Sequence, residues 1–243
     1  MPYLLKKTKV RDKVYIEKAY SSRYGRNTVP GPKEKQTPER LKKQHQKERI
    51  KKLNWLIEEN FEIGDYHLTL TFSKENRTCD KEKLQNIMKE FMKDLRKIYK
   101  KAGQELKYIK VTEKKKSCVH FHMIINSIPD LHKVLPKIWK KGRMYMEPLF
   151  ESECGFEQLA SYLIKEKGTG EKETGERSYT HSRNLVVPET KVTVIRSVKW
   201  TQQPKAPKVY LSHSLLSLHC FSSPGVKRRP VFSFRSMPTE IGS

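Results

Sequence analysis

Val119-His120-Phe121-His122-Met123-Ile124-Ile125-Asn126 is the stretch that decides how this chain is read. It is rich in β-branched and aromatic residues with a period of two, the pattern of a strand. Alternate residues of a strand share a face, so His120 and His122 project together while Phe121 and Met123 project the other way. Two imidazoles on one rigid strand make half of a metal site. A strand with two merely exposed histidines is the commoner meaning of an isolated His-x-His, so the weight falls on what surrounds it.

Upstream, Leu106 to Glu113 reads as a second strand, joined to the first by a short Lys/Ser/Cys link that predicts an antiparallel hairpin. Pairing Glu113 with His120 puts their Cβ atoms ~5 Å apart on one face. A carboxylate then joins two imidazoles, a donor set suited to a divalent ion with open positions. The plainer reading is that Glu113 neutralises the lysines beside it. Further upstream, Asp65 to Phe72 is a strand with Leu68, Leu70 and Phe72 on one face and His67, Thr69 and Thr71 on the other. It is expected beside the histidine strand, with the Thr69 and Thr71 hydroxyls on the same surface.

Helices fill the gaps. Residues 80 to 102 carry Leu84, Ile87, Met88, Phe91, Leu95 and Ile98 at helical spacing, a core stripe. Another helix starts at Pro129-Asp130, and residues 143 to 150 read as a fourth strand. The order β-α-β-β-α-β predicts an α+β fold with a ferredoxin-like antiparallel sheet, covered by helices on one face and open on the other. A last helix over 155–167 buries Phe156, Leu159, Ala160, Leu163 and Ile164. Tyr162 falls roughly 130° from the centre of that stripe, with Lys165 on the same flank. A phenol offered beside an ammonium is a candidate nucleophile. Tyr99 follows a core stripe and ranks below it, as does Tyr179 in an expected loop.

Of 243 residues, 51 are Lys or Arg and 27 Asp or Glu, a formal net charge of +24. Such an excess suits a polyanion, most often nucleic acid. No apolar run spans a bilayer, the start Met1-Pro2-Tyr3-Leu4-Leu5-Lys6-Lys7 lacks a signal-peptide core, and no membrane partner is expected. Cys79, Cys118, Cys154 and Cys220 form no close pair, which argues against a zinc knuckle or disulfide framework and suits a reducing cytoplasm. A phosphate-binding G-x-x-x-x-G-K-[ST] loop is absent, so no nucleotide-driven motor is expected. Three regions are anticipated: a basic arm and charged helix over 1–60, the main domain over 61–200, and an irregular Ser/Pro-rich tail over 201–243. The first 36 residues are expected to be a mostly flexible arm that orders on DNA.

Tyr66-His67-Leu68-Thr69-Leu70-Thr71-Phe72, Val119-His120-Phe121-His122-Met123 and Tyr162-Leu163-Ile164-Lys165 together resemble the rolling-circle replication initiators of the His-hydrophobic-His endonuclease superfamily. They match, in order, the family's first motif, its metal motif and its single-tyrosine Y-x-x-K motif. The segment Tyr179 to Glu189, with Ser182-Arg183-Asn184-Leu185, is similar to phage and plasmid replication-associated proteins. Conjugative relaxases carry the tyrosine before the histidines and fit poorly; single-tyrosine transposases share the present order and are the rival. A non-catalytic sheet module for RNA or DNA is another, though its open face should show aromatics.

The resemblance implies a DNA nicking and rejoining enzyme of a bacterial host cytoplasm. Glu113, His120 and His122 would hold Mn²⁺ or Mg²⁺, and Tyr162 would form a 5′-phosphotyrosine with Lys165 in support. Origin DNA, single-stranded or hairpin, and host helicase and polymerase would be partners. Thr69 and Thr71 are candidate DNA contacts; Arg183 is one without a geometric argument.

Overall fold

The computed structural model describes residues 3–20, 37–115, 118–152, 155–165, 178–195, 210–211 and 231–236. In chain order the elements are β1 (Tyr3–Val10), β2 (Lys13–Tyr20), α1 (Pro38–Asn60), β3 (Tyr66–Leu70), α2 (Lys81–Lys101), β4 (Tyr108–Lys115) and β5 (Cys118–Ile125). There follow α3 (Leu131–Ile138), β6 (Met144–Pro148), α4 (Glu157–Lys165), β7 (Thr180–His181), β8 (Thr190–Ile195), β9 (Tyr210–Leu211) and β10 (Val231–Ser236). They form an α+β protein of two compact units, residues 42–186 and residues 1–41 with 187–243. This differs from the three-part division drawn above, since most of α1 belongs with the histidine sheet.

The unit of residues 42–186 holds a five-stranded sheet in the order β6-β3-β5-β4-β7, every pair antiparallel. Without β7, its fourth, first, third and second strands lie side by side, the ferredoxin-like arrangement. The expected pairing of Glu113 with His120 holds, and Thr69 stands opposite His122. Pairing runs on to Lys115 and Cys118, while Lys116 and Ser117 lie outside the described residues.

Alternation makes one face of this sheet a core. Leu68, Leu70, Phe121, Met123 and Ile125 are buried there with Leu84, Met88, Phe91 and Leu95 of α2 and Leu131 and Leu135 of α3. Each such side chain contributes about 1.5–3 kcal/mol relative to exposure. Asp80 caps α2 by accepting from the backbone N–H of Glu82 and Lys83. Tyr99, at the far end of α2, is buried and donates its hydroxyl to the Asn126 carbonyl. The chain enters β6 through Gly142, where a Cβ atom would stand 2.2 Å from the Thr71 carbonyl oxygen, so only glycine lets β6 lie against β3.

The opposite face is not open as expected. Ile109, Val111 and Ile124 are buried on it, and the ring of Tyr162 in α4 packs against its histidines. Phe156, Ala160, Leu163 and Ile164 of the expected stripe are buried, while Leu159 is half-buried. The backbone N–H of Phe156 donates to Asn54 of α1 at 2.9 Å, fixing where α4 starts.

In the other unit, β8-β1-β2-β10-β9 form a second antiparallel sheet. Residues 3–20 are thus a hairpin rather than a flexible arm, turning at Arg11 with a φ of 47°. Thr8, Val10, Tyr15 and Ala19 are buried on one of its faces, an alternation that the intervening lysines disguise. Within the tail, β9 and β10 are strands; the rest of it, like residues 21–36, lies outside the described residues.

Candidate active site

Three neighbouring strands deliver the polar side chains to one face: Glu113 from β4, His120 and His122 from β5, and His67 and Thr69 from β3. His122 is 1% exposed and Glu113 2%. Burying such a pair is costly unless its atoms bond each other. His122 Nε2 lies 3.2 Å from Glu113 Oε2, and His122 Nδ1 lies 3.3 Å from Thr69 Oγ1. With a neutral ring, Nε2–H donates to the carboxylate and the threonine hydroxyl donates to Nδ1. Thr69, expected as a DNA contact, therefore orients the histidine.

His67 stacks against His122, ring centroids 5.5 Å apart and planes 16° from parallel. Its Nδ1 is 3.6 Å from Glu147 Oε2 of β6. Its Nε2 is buried and has no hydrogen-bond partner among the described residues. Burial first, then the neighbouring His122, lower the His67 pKa to about 4 against the opposing pull of Glu147. The ring is neutral at physiological pH.

Tyr162 is 42% exposed, as its position off the buried stripe implied. Its ring meets His122 edge-on, 5.5 Å between centroids at 89°, and His67 at 6.3 Å and 81°. The side chain of Lys165, at the end of α4, lies outside the described residues. The rival phenols are less suited to nucleophilic work, since burial raises the pKa of both Tyr99 and Tyr179.

Thr71 and Arg183 stand apart from this group. Thr71 Oγ1 donates to the Arg143 carbonyl at 2.9 Å and helps to seat the start of β6. Arg183 is exposed within a segment clipped to the domain on both sides. Ser182 exchanges hydrogen bonds with the Tyr108 backbone, and Asn60 bonds both backbone groups of Val186 at 2.7 Å. Asn184 donates to Glu105 at 3.1 Å.

The donor types of Glu113, His120 and His122 suit a hard divalent ion with nitrogen and oxygen ligands. Among the described residues no three His, Cys, Asp or Glu side chains are gathered closely enough to hold one. His122 and Glu113 instead bond each other, and His120 stands opposite Glu113 on their face.

Sequence reasoning passed over a cavity of about 500 Å³ beside the tyrosine, lined by His67, Thr69, Tyr145, Glu147, Gln158 and Tyr162 with Leu159. The signal was available in β6, where Tyr145 and Glu147 alternate toward the face that carries Thr69 and His67 opposite them.

Residues 65–167, a little under half the chain, match the family model of the replication-associated protein ORF2/G2P. Over that segment the chain is similar to replication-associated proteins. No curated protein and no solved structure matches the chain. Among the described residues, no helix is long and apolar enough to cross a membrane.

Proposed function

We propose that this protein initiates rolling-circle replication by nicking and rejoining single-stranded DNA at an origin, with Tyr162 as nucleophile. The reading is supported above all by the half-exposed ring of Tyr162 packed edge-on against His122 of the His-x-His strand. Tyr162 Oη attacks the scissile phosphorus as the bond to the 3′ oxygen breaks. The phenol gives up its proton in the attack, and the products are a 5′-phosphotyrosine and a 3′ oxyanion that takes up a proton to become the 3′-hydroxyl. The reverse attack by a 3′-hydroxyl reseals a strand and releases the tyrosine. The match of residues 65–167 to a replication-associated family model supports the replicative purpose over transposition.

His120, His122 and Glu113 are the residues that would hold Mg²⁺ or Mn²⁺, which would supply charge neutralisation at the scissile phosphate. Thr69 and Glu113 fix the His122 ring from both nitrogens, and α4 brings the phenol to that ring. Lys165, one helical turn from Tyr162, would stabilise the developing phosphate charge. The net charge of +24 favours DNA by phosphate contacts, and affinity should fall steeply with salt. Host helicase and polymerase would act on the strand once nicked.

The test is incubation of end-labelled single-stranded origin DNA with Mn²⁺ and either wild type or Tyr162→Phe. A covalent adduct is expected with wild type alone, abolished by EDTA. An adduct that survives Tyr162→Phe would move the chemistry to another residue, and indifference to EDTA would remove the metal from the scheme.

A further inference from the structure

The cavity lies on the β6 side of the sheet, away from Glu113 of β4, and the phosphate chemistry proposed above uses Tyr162 of its lining but neither Tyr145 nor Glu147. Its walls are unusual for a protein of net charge +24. None of the described residues that line it is a lysine or arginine, and one, Glu147, is a carboxylate. Glu147 is 74% exposed at its side chain, and its neighbour His67 Nδ1, at 3.6 Å, is beyond hydrogen-bond distance. A phosphate would be disfavoured directly beside Glu147. An uncharged planar group that donates hydrogen bonds would be held.

Tyr145 supplies the complementary surface. It is 52% exposed on the same wall and stands two residues from Glu147 on edge strand β6, roughly 7 Å along the strand. An exposed aromatic ring offers a stacking platform to an unpaired base. Gln158 adds an amide to the lining, and His67, 7% exposed, closes its inner side. A volume of about 500 Å³ is in the range of a small-molecule site.

We propose that this cavity is a nucleobase pocket for the single strand beside the cleaved phosphate, and that Glu147 makes it favour cytosine over thymine. A carboxylate accepts hydrogen bonds and donates none. Cytosine presents an N4 amino donor where thymine presents the O4 acceptor, and carboxylate side chains pair with the former. The two pyrimidines stack on Tyr145 about equally, so the discrimination falls on Glu147. The inference rests on the reading of Tyr162 as the nicking residue, since that reading sets the strand beside the cavity.

The experiment uses full-length Tyr162→Phe, which binds without cleaving, and fluorescein-labelled oligo(dC) and oligo(dT) of about ten nucleotides. Affinities are read by anisotropy at one fixed salt concentration. Oligo(dC) should bind roughly five- to tenfold more tightly than oligo(dT). Adding Glu147→Gln should bring that ratio toward one, because an amide both donates and accepts. Adding Tyr145→Ala should weaken both oligonucleotides alike. A ratio of one before Glu147 is altered, or a preference that Glu147→Gln leaves intact, overturns the proposal. The adduct assay with wild type separates the two ideas. An adduct with no Glu147-dependent base preference removes the pocket and leaves nicking. A Glu147-dependent preference with no adduct removes nicking and leaves a base-reading pocket.

Discussion

Strands β3 and β5 serve two purposes, and one residue of offset separates them. On one face Leu68, Leu70, Phe121 and Met123 are buried in an apolar core. On the other, His67, Thr69, His120, His122 and Glu113 share a face, and the ring of Tyr162 packs on His67 and His122. The first face gives rigidity; the second uses that rigidity to hold imidazoles in fixed relation. A one-residue register slip would exchange the two sets and destroy both.

Substitutions on the two faces should therefore separate stability from chemistry. The largest loss of stability is expected from Phe121→Ala, about 3–5 kcal/mol by urea denaturation, with adduct yield per folded molecule retained. A stable Phe121→Ala would break the comparison.

The next effect concerns pH. His67 has a pKa of about 4 in the fold against 6.5 for the free side chain. Between those values the unfolded chain binds a proton that the folded chain does not. The stability linked to His67 is therefore complete above about pH 6.5 and lost as pH falls toward 4, on the order of 3 kcal/mol in all. Urea midpoints measured across this range should fall more steeply for wild type than for His67→Asn; parallel curves would refute it.

A smaller cost, about 1–2 kcal/mol, is expected for Asn60→Ala, which strands both backbone groups of Val186. Hydrogen exchange should rise at residues 180–186 before it rises in α2. The smallest effect on stability belongs to Tyr162→Phe, within about 1 kcal/mol at a half-exposed site. That this variant should also abolish the adduct is the sharpest form of the contrast.

How much of this was legible follows from the range of the interactions. The sheet order, the Glu113–His120 pairing, the core stripe of α2 and the exposure of Tyr162 all come from local periodicity and one short hairpin. The hairpin of β1 and β2 was missed because its partners, β8 and β10, come from the distant end of the chain and its exposed positions are lysines. The covering of the histidine face by α4 was missed because a stripe says that a helix is buried, not against what. Glu147 and Tyr145 were read only as part of a strand; what they face follows from pairing with His67 and Thr69.

That pairing of distant segments has a consequence for biosynthesis. β1 and β2 leave the ribosome early, yet two of their sheet neighbours are synthesised only after residue 189, so their hydrogen-bonding edges wait roughly ten seconds or more at ordinary elongation rates. The histidine sheet has all its strands by residue 181 and does not wait for them. On a nascent chain, the sheet that carries the histidines should be assembled before the first strands to emerge have found their partners.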